Sequence, residues 1–201
     1  MLRRRFTTIY RKNLWRVGET RSGCGSTIEW TAGLREILPA LLHDLKARSL
    51  LDAGCGDWNW MSKTDLSGIE VHACDLVAEM IASNQARYGG MAHFFVADIT
   101  EDTLPKCDAI LCRTVLFHLS FANIALTLAN FRATKAKYML LTTHPHVTAN
   151  KDAGDGDWRR LNMELAPFNL PEPLQMIQDG PNDDGYLGVW GPRRKVIHGG
   201  S

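Results

Sequence analysis

The sequence predicts an α/β fold with a central, mostly parallel sheet, helices on both faces and a C-terminal antiparallel hairpin. Three observations carry this. Short apolar runs of strand length alternate with segments of helical period; most of those runs stop on glycine or near an aspartate; and after Thr143 the alternation gives way to two strand-like runs joined by a turn-rich linker. Strands alternating with helices through short connections imply right-handed crossovers, hence a parallel sheet covered on both faces.

Taken in order, residues 27–47 place Ile28, Leu34, Ile37, Leu38, Leu41, Leu42 and Leu45 at three- and four-residue spacing, an amphipathic helix in which Pro39 predicts a kink or a break. Residues 49–54 are a short apolar run ending on Gly54, as a buried parallel strand would. Residues 69–74 and 93–97 read as the second and third strands, with a helix over 76–88 between them. Residues 107–112 give a fourth strand, 121–132 a helix and 137–143 a fifth strand. Residues 150–173 carry Gly, Asp, Asn and Pro where a further covering helix would be expected, and are read as an ordered loop. Residues 174–178 and 186–190 are two more strands, and the Gly- and Asp-rich linker over 179–185 is short enough to make them antiparallel.

A length of 201 residues suits one domain, and 45% hydrophobic with 22% charged residues is the composition of a water-soluble globular chain. No apolar run approaches the roughly 18 residues of a membrane span. Five cysteines, none in a Cys-x-x-Cys pair and with no secretion signal before them, are expected to be reduced thiols in a cytoplasmic protein. No metal is expected. Cys107 and Cys112 should face opposite sides of one strand, and His144 with His146 lacks a third ligand at a recognisable spacing. Residues 1–20, with Arg3, Arg4, Arg5, Arg11, Lys12 and Arg16, are set apart from a domain over 21–201 as a basic arm, either solvated or gripping a phosphate or substrate. A net charge of +1 advertises no polyanionic partner, so nucleic acid is possible through that arm but not favoured.

The chemistry concentrates at the predicted strand ends. Asp52-Ala53-Gly54-Cys55-Gly56 closes the first strand, and Gly54 and Gly56 allow a tight turn and close backbone approach to a ligand. Asp75 follows Gly56 by 19 residues, near the spacing at which a carboxylate takes ribose hydroxyls. Asp98 after the third strand is positioned for an adenine amino group, with Leu76 and Ile99 as apolar neighbours; its competing role is to cap a turn. A dinucleotide would need a third glycine where Asn59 stands, and Asp52 and Asp57 would oppose its pyrophosphate. The same acids suit an adenosyl ligand carrying positive charge.

Residues 49–61, 69–76, 94–99 and 107–119 resemble the successive motifs of class I, Rossmann-like S-adenosylmethionine-dependent methyltransferases. More narrowly, Ser22 to Ser26, Cys55 to Met61, Cys112 to Leu119, Trp158 to Asn162, Pro167 to Pro171 and Leu187 to Trp190 resemble a set of compact, mostly uncharacterised methyltransferase-domain proteins. Thr114 stands where their pattern has an aspartate. The resemblance implies S-adenosyl-L-methionine as cofactor, held by Ser26, Asp52, Gly54, Cys55, Gly56, Trp58, Asp75, Leu76, Asp98, Ile99 and Arg113. The loop over 22–26 either binds the cofactor carboxylate at a helix start or supplies Ser26 or Thr27 as an N-cap. His118, Arg113 and His144 are the candidate catalytic residues, and Trp60, His144, Trp158 and Arg159 the candidate substrate contacts. His118 is the best placed base, because imidazole titrates near neutrality; a hydrogen-bonded structural histidine is the alternative. The expected acceptor is an oxygen or nitrogen of a small molecule or glycan. A protein or nucleic-acid acceptor, a nicotinamide-dependent reductase and a cofactor-binding protein without turnover are the rivals.

Overall fold

The computed structural model describes residues 1–181 and 185–192; the middle of the predicted 179–185 linker, residues 182–184, lies outside them. Seven strands form one sheet: β1 (Ser49–Ala53), β2 (Glu70–Asp75), β3 (His93–Val96), β4 (Ala109–Cys112), β5 (Tyr138–Thr143), β6 (Gln175–Gln178) and β7 (Tyr186–Trp190), in the order β3-β2-β1-β4-β5-β7-β6. The first five are parallel, and β7 runs antiparallel to both β5 and β6, so the expected hairpin closes one edge. Strand order reverses between β1 and β4, which opens a crevice at their carboxyl ends.

Neighbouring side chains along each parallel strand enter opposite cores, as the two-residue period demands. Leu50, Val71 and Leu111 join Leu34, Leu38, Leu41 and Leu42 of helix α2 (Ala32–Asp44) on one face. Leu51, Cys74, Ile110 and Leu141 join Ile124, Leu128 and Phe131 of helix α4 (Phe121–Ala133) on the other. The irregular segment after β5 does the work of a covering helix by burying Leu161, Met163 and Leu170 in that second core. Side chains stand in for the hydrogen bonds a helix would make. Asn150 Nδ2 donates to Asn162 O at 2.8 Å, and Met163 N–H donates to Thr143 Oγ1 at 3.0 Å. The acids of this segment also serve the positive start of α4: Ser120 N–H donates to Asp155 and Phe121 N–H to Asp152, each at 2.7 Å.

Element positions follow the sequence reading with explicable shifts. The helix read over 76–88 is α3 (Ala78–Tyr88), two residues later, because Asp75 Oδ1 accepts the Val77 N–H and holds a turn before it. The fourth strand begins at Ala109, since Asp108 turns its carboxylate to the N–H groups of Arg48 and Ser49. Pro39 lies inside α2 without ending it. Neither Ser26 nor Thr27 caps that helix. Its cap is Thr31, while Thr27 Oγ1 accepts the Trp30 N–H in a turn upstream.

The largest departure is at the amino terminus. Residues read as a basic arm form helix α1 (Leu2–Lys12), which lies against the domain. Leu2 and Phe6 pack on the second core and Ile9 is buried, an apolar stripe at helical spacing. Three arginines tie the helix down on two sides. Arg3 donates to Leu76 O at 3.2 Å and Arg11 to Glu79 Oε2 at 3.1 Å, while Arg5 faces Asp157 at 3.5 Å.

One helix tests the burial pattern. Phe131 is 1% exposed and Leu126, on the same α4, is 52% exposed. Phe131→Ala should therefore cost about 3–5 kcal/mol in urea unfolding, and Leu126→Ala no more than about 0.5 kcal/mol.

Candidate functional site

A cavity opens at the carboxyl ends of β1 to β4, between them and α1. It encloses about 940 Å³ of non-atom space, its open mouth included. Its floor is the glycine turn after β1. Gly54 (φ 83°) and Gly56 (φ 59°) are both left-handed, and a Cβ at Gly54 would sit 2.5 Å from Val115. A Cβ at Gly56 would collide with the hydroxyl of Ser22. That hydroxyl accepts the Asp57 N–H at 2.8 Å and donates to Asp57 Oδ1 at 3.0 Å. Asp57 also accepts from Thr20 Oγ1 and the Arg21 N–H, so it fastens the small-residue loop onto the glycine turn. It does not line the cavity. The segment over 22–26 contains a single 3-10 turn, Cys24–Ser26, and stands clear of the start of α2, so it is not the helix terminus expected.

Asp52, Asp75 and Asp98 all line the cavity, as do Cys55, Leu76, Ile99, Ser26 and Arg113. Burial pushes the Asp52 carboxyl up to about 7, against a hydrogen bond from Trp58 Nε1 at 3.2 Å and the attraction of Arg113. Asp75 is likewise raised by burial, although its carboxylate accepts the N–H groups of Gly56 at 3.2 Å and Val77 at 3.0 Å. Asp98 takes the capping role and also lines the cavity. Its Oδ1 caps a turn by accepting from Thr100 N at 3.0 Å, and the residue still faces the cavity. The raised values at Asp52 and Asp75 record, first of all, the burial of the two acids.

Arg113, 5% exposed, donates through Nε to Asp179 at 2.9 Å and through Nη2 to Gly25 O at 2.7 Å. Its guanidinium carbon lies 5.2 Å from the centre of the Trp60 ring, and Nη1 is buried with no hydrogen-bond partner. A buried guanidinium N–H without a partner costs stability unless something accepts it. Asp179 was not among the sequence candidates. It sits at the end of β6, and nothing in its spacing from Arg113 announces the pair.

A second cavity adjoins the first, and the two share Trp15, Ser22, Thr114 and His118. His118 Nδ1 lies 2.8 Å from Asp157 O; donating there leaves Nε2 as the acceptor of a neutral imidazole. Burial lowers its pKa, which keeps it neutral. Trp15 stacks on its ring at 5.4 Å. Thr114, at φ 58°, is a non-glycine residue in the left-handed region where the cavities meet, held by its N–H donating to Thr142 Oγ1 at 2.8 Å.

The remaining sequence candidates divide between the core, the two cavities and the loop backbone. Trp58 is core, 1% exposed and packed edge-on against Phe94, and its contribution is the hydrogen bond to Asp52. Trp60 lines the first cavity and not the second. Arg159 lines neither. It donates to Phe117 O at 2.8 Å and to Lys151 O, clamping the irregular segment onto the turn that holds His118. His144 lines the second cavity only, buried, with its Nδ1 3.2 Å from the Leu161 N–H nitrogen. Trp158 does line the second cavity. The wall of the first cavity supplied by Leu2, Phe6 and Tyr10 of α1 escaped the sequence reading, although the spacing of Leu2, Phe6, Ile9 and Tyr10 was the signal for it.

A family model described as a methyltransferase domain matches residues 50–136, a span from β1 through α4 that includes the strand-end side of the first cavity. Over that span the chain is similar to the methyltransferase-domain family. Among solved structures, the Burkholderia thailandensis 1,6-didemethyltoxoflavin-N1-methyltransferase, crystallised with 1,6-didemethyltoxoflavin and S-adenosylhomocysteine, aligns at TM-score 0.63 and 21% identity over 94% of this chain and 84% of that one. The Synechocystis PCC 6803 magnesium protoporphyrin IX methyltransferase with bound S-adenosylmethionine aligns at TM-score 0.61 and 14% identity over 93% and 92%. A shorter alignment, to the same Synechocystis enzyme with S-adenosylhomocysteine, pairs 58% of this chain with 57% of that one at TM-score 0.48 and 20% identity. These likenesses are of fold, the Rossmann-like fold of class I methyltransferases. No curated protein matches the chain in sequence.

The buried ion pair gives a direct test. Asp179→Ala leaves the Arg113 guanidinium buried and unpaired, and should cost about 3–5 kcal/mol of stability in chemical denaturation.

Proposed function

We propose that the chain is an S-adenosyl-L-methionine-dependent methyltransferase that acts on an oxygen or nitrogen of a small molecule. The single observation that carries the reading is the pair of buried acids, Asp52 and Asp75, facing a cavity beside a glycine turn with their carboxyls raised by burial. S-Adenosylmethionine brings its positive charge to Asp52, ribose hydroxyls to Asp75, and a carboxylate for the orphaned Nη1 of Arg113. A pyrophosphate in the same place would meet like charge. Asp75 then holds the ribose, Asp98 the adenine amino group, and Leu76 and Ile99 pack on the ring.

The cofactor supplies a methyl group on a positively charged sulfur, open to in-line attack by an acceptor atom and leaving as a neutral thioether. The chain's own part is to align the acceptor, exclude water and take its proton. His118 suits that last role, since its Nε2 is an acceptor and its position is common to both cavities. A small acceptor is favoured over nucleic acid because Arg3, Arg5 and Arg11 are engaged with groups of the domain itself.

Calorimetric titration should give binding of S-adenosylmethionine and S-adenosylhomocysteine and none of NADH; the reverse would refute the proposal. Asp75→Ala should weaken the adenosyl ligands by about 1–3 kcal/mol. Only ionised Asp52 attracts the ligand's positive charge, and ionisation increases as pH rises through about 7. S-Adenosylmethionine affinity should therefore rise by about fivefold to tenfold from pH 6 to 7.5, and Asp52→Asn should flatten the profile. Once a substrate is in hand, His118→Ala should cut kcat by about 10²–10⁴ with adenosyl-ligand binding retained.

A further inference from the structure

We infer that the second cavity receives a flat, uncharged aromatic or heteroaromatic acceptor that presents a ring hydroxyl or ring N–H to His118. The inference rests on the reading of the first cavity as the S-adenosylmethionine site and names what lies beside it. Trp15, Trp30, Phe117 and Trp158 line the second cavity together with the imidazoles of His118 and His144. Such walls offer ring faces and edges to a flat guest, each well-placed pair contributing beyond simple burial.

Charge narrows the class further. The ionic side chains of the wall are already matched, Arg5 by Asp157 at 3.5 Å and Asp179 by Arg113 at 2.9 Å. A phosphate or carboxylate guest would compete with Asp157 for Arg5 and meet the negative charge of Asp179. Polar groups of the wall are engaged as well: Thr142 Oγ1 accepts the Thr114 N–H, and His144 Nδ1 is turned to Leu161. A sugar bringing several hydroxyls would leave some of them without partners, a cost an aromatic ring avoids. Trp158 lines this cavity and is 53% exposed overall; Arg160 lies over its ring at 5.1 Å and Phe117 packs against it, and the accessible remainder of the indole offers a flat guest an apolar contact.

The base agrees with the guest. His118, kept neutral by burial, is a weak proton acceptor. A ring hydroxyl, whose acidity is near that of a tyrosine side chain, gives up its proton to such a base far more readily than an aliphatic alcohol does.

The test is calorimetric, on full-length protein saturated with S-adenosylhomocysteine, using 2-naphthol and 4-hydroxyquinoline as flat probes and cyclohexanol and methyl β-glucoside as saturated ones. The flat probes should bind at least tenfold tighter than either saturated probe. Trp158→Ala, a substitution at a half-exposed position that the fold tolerates, should weaken them threefold or more while S-adenosylhomocysteine affinity stays the same. Saturated probes binding as tightly as flat ones, no binding of the flat probes, or flat-probe binding indifferent to Trp158→Ala would each overturn the inference and leave the cofactor reading standing. Failure of S-adenosylhomocysteine to bind would overturn the cofactor reading and the inference with it.

Discussion

Two carboxylates held out of water by the ends of a parallel sheet set the terms for everything around them. Parallel pairing puts Ala53 opposite Cys74, which brings Asp52 and Asp75 to the same crevice beside the strand reversal at β1 and β4. Burial then pushes both carboxyls upward, and a nearby guanidinium, Arg113, has its own partner in Asp179. An acid in that position is stabilised by a cation that arrives from outside. The glycines of the turn let that ligand come close, and Trp58, itself packed in the core, fixes Asp52 through its indole N–H.

The cover over this crevice is built from the residues that look least like cover. Helix α1 combines an apolar stripe, which closes the cavity and meets the second core, with arginines that reach the β2–α3 connection, α3 and the segment after β5. Asp57 makes the companion connection, joining Thr20, Arg21 and Ser22 to the glycine turn. The result is two adjoining cavities whose common wall contains His118, Thr114 and Trp15. A cofactor in one and an acceptor in the other would meet at the strained Thr114 and the acceptor nitrogen of His118.

The sheet was legible because its signals are local and repeated: apolar runs of the right length, periodic helices, and turn residues between them. The floor of the first cavity was legible for a related reason, since Asp52, Gly54, Gly56, Asp75 and Asp98, which all line it, stand where one kind of element ends. What stayed hidden depends on contacts between distant segments. Arg113 with Asp179 is a pair 66 residues apart, and Arg159 turns out to clamp a loop backbone. Trp58 and Trp60, two residues apart, are both buried in the same core, but of the two only Trp60 also forms part of the cavity wall. Spacing alone could not divide them. α1 is the instructive miss, because a run of arginines drew the reading toward a solvated arm while Leu2, Phe6, Ile9 and Tyr10 carried the helical period.

The central claim is that the crevice between α1 and the carboxyl ends of β1 to β4 holds an adenosyl ligand. A crystal structure of the protein grown with S-adenosylhomocysteine tests it most directly. The account predicts density there, with the ribose hydroxyls on Asp75, the adenine between Ile99 and Leu76 beside Asp98, and the amino-acid end at Asp52 and Arg113. Density for the ligand elsewhere, or the reverse orientation with the adenine at Arg113, would contradict it.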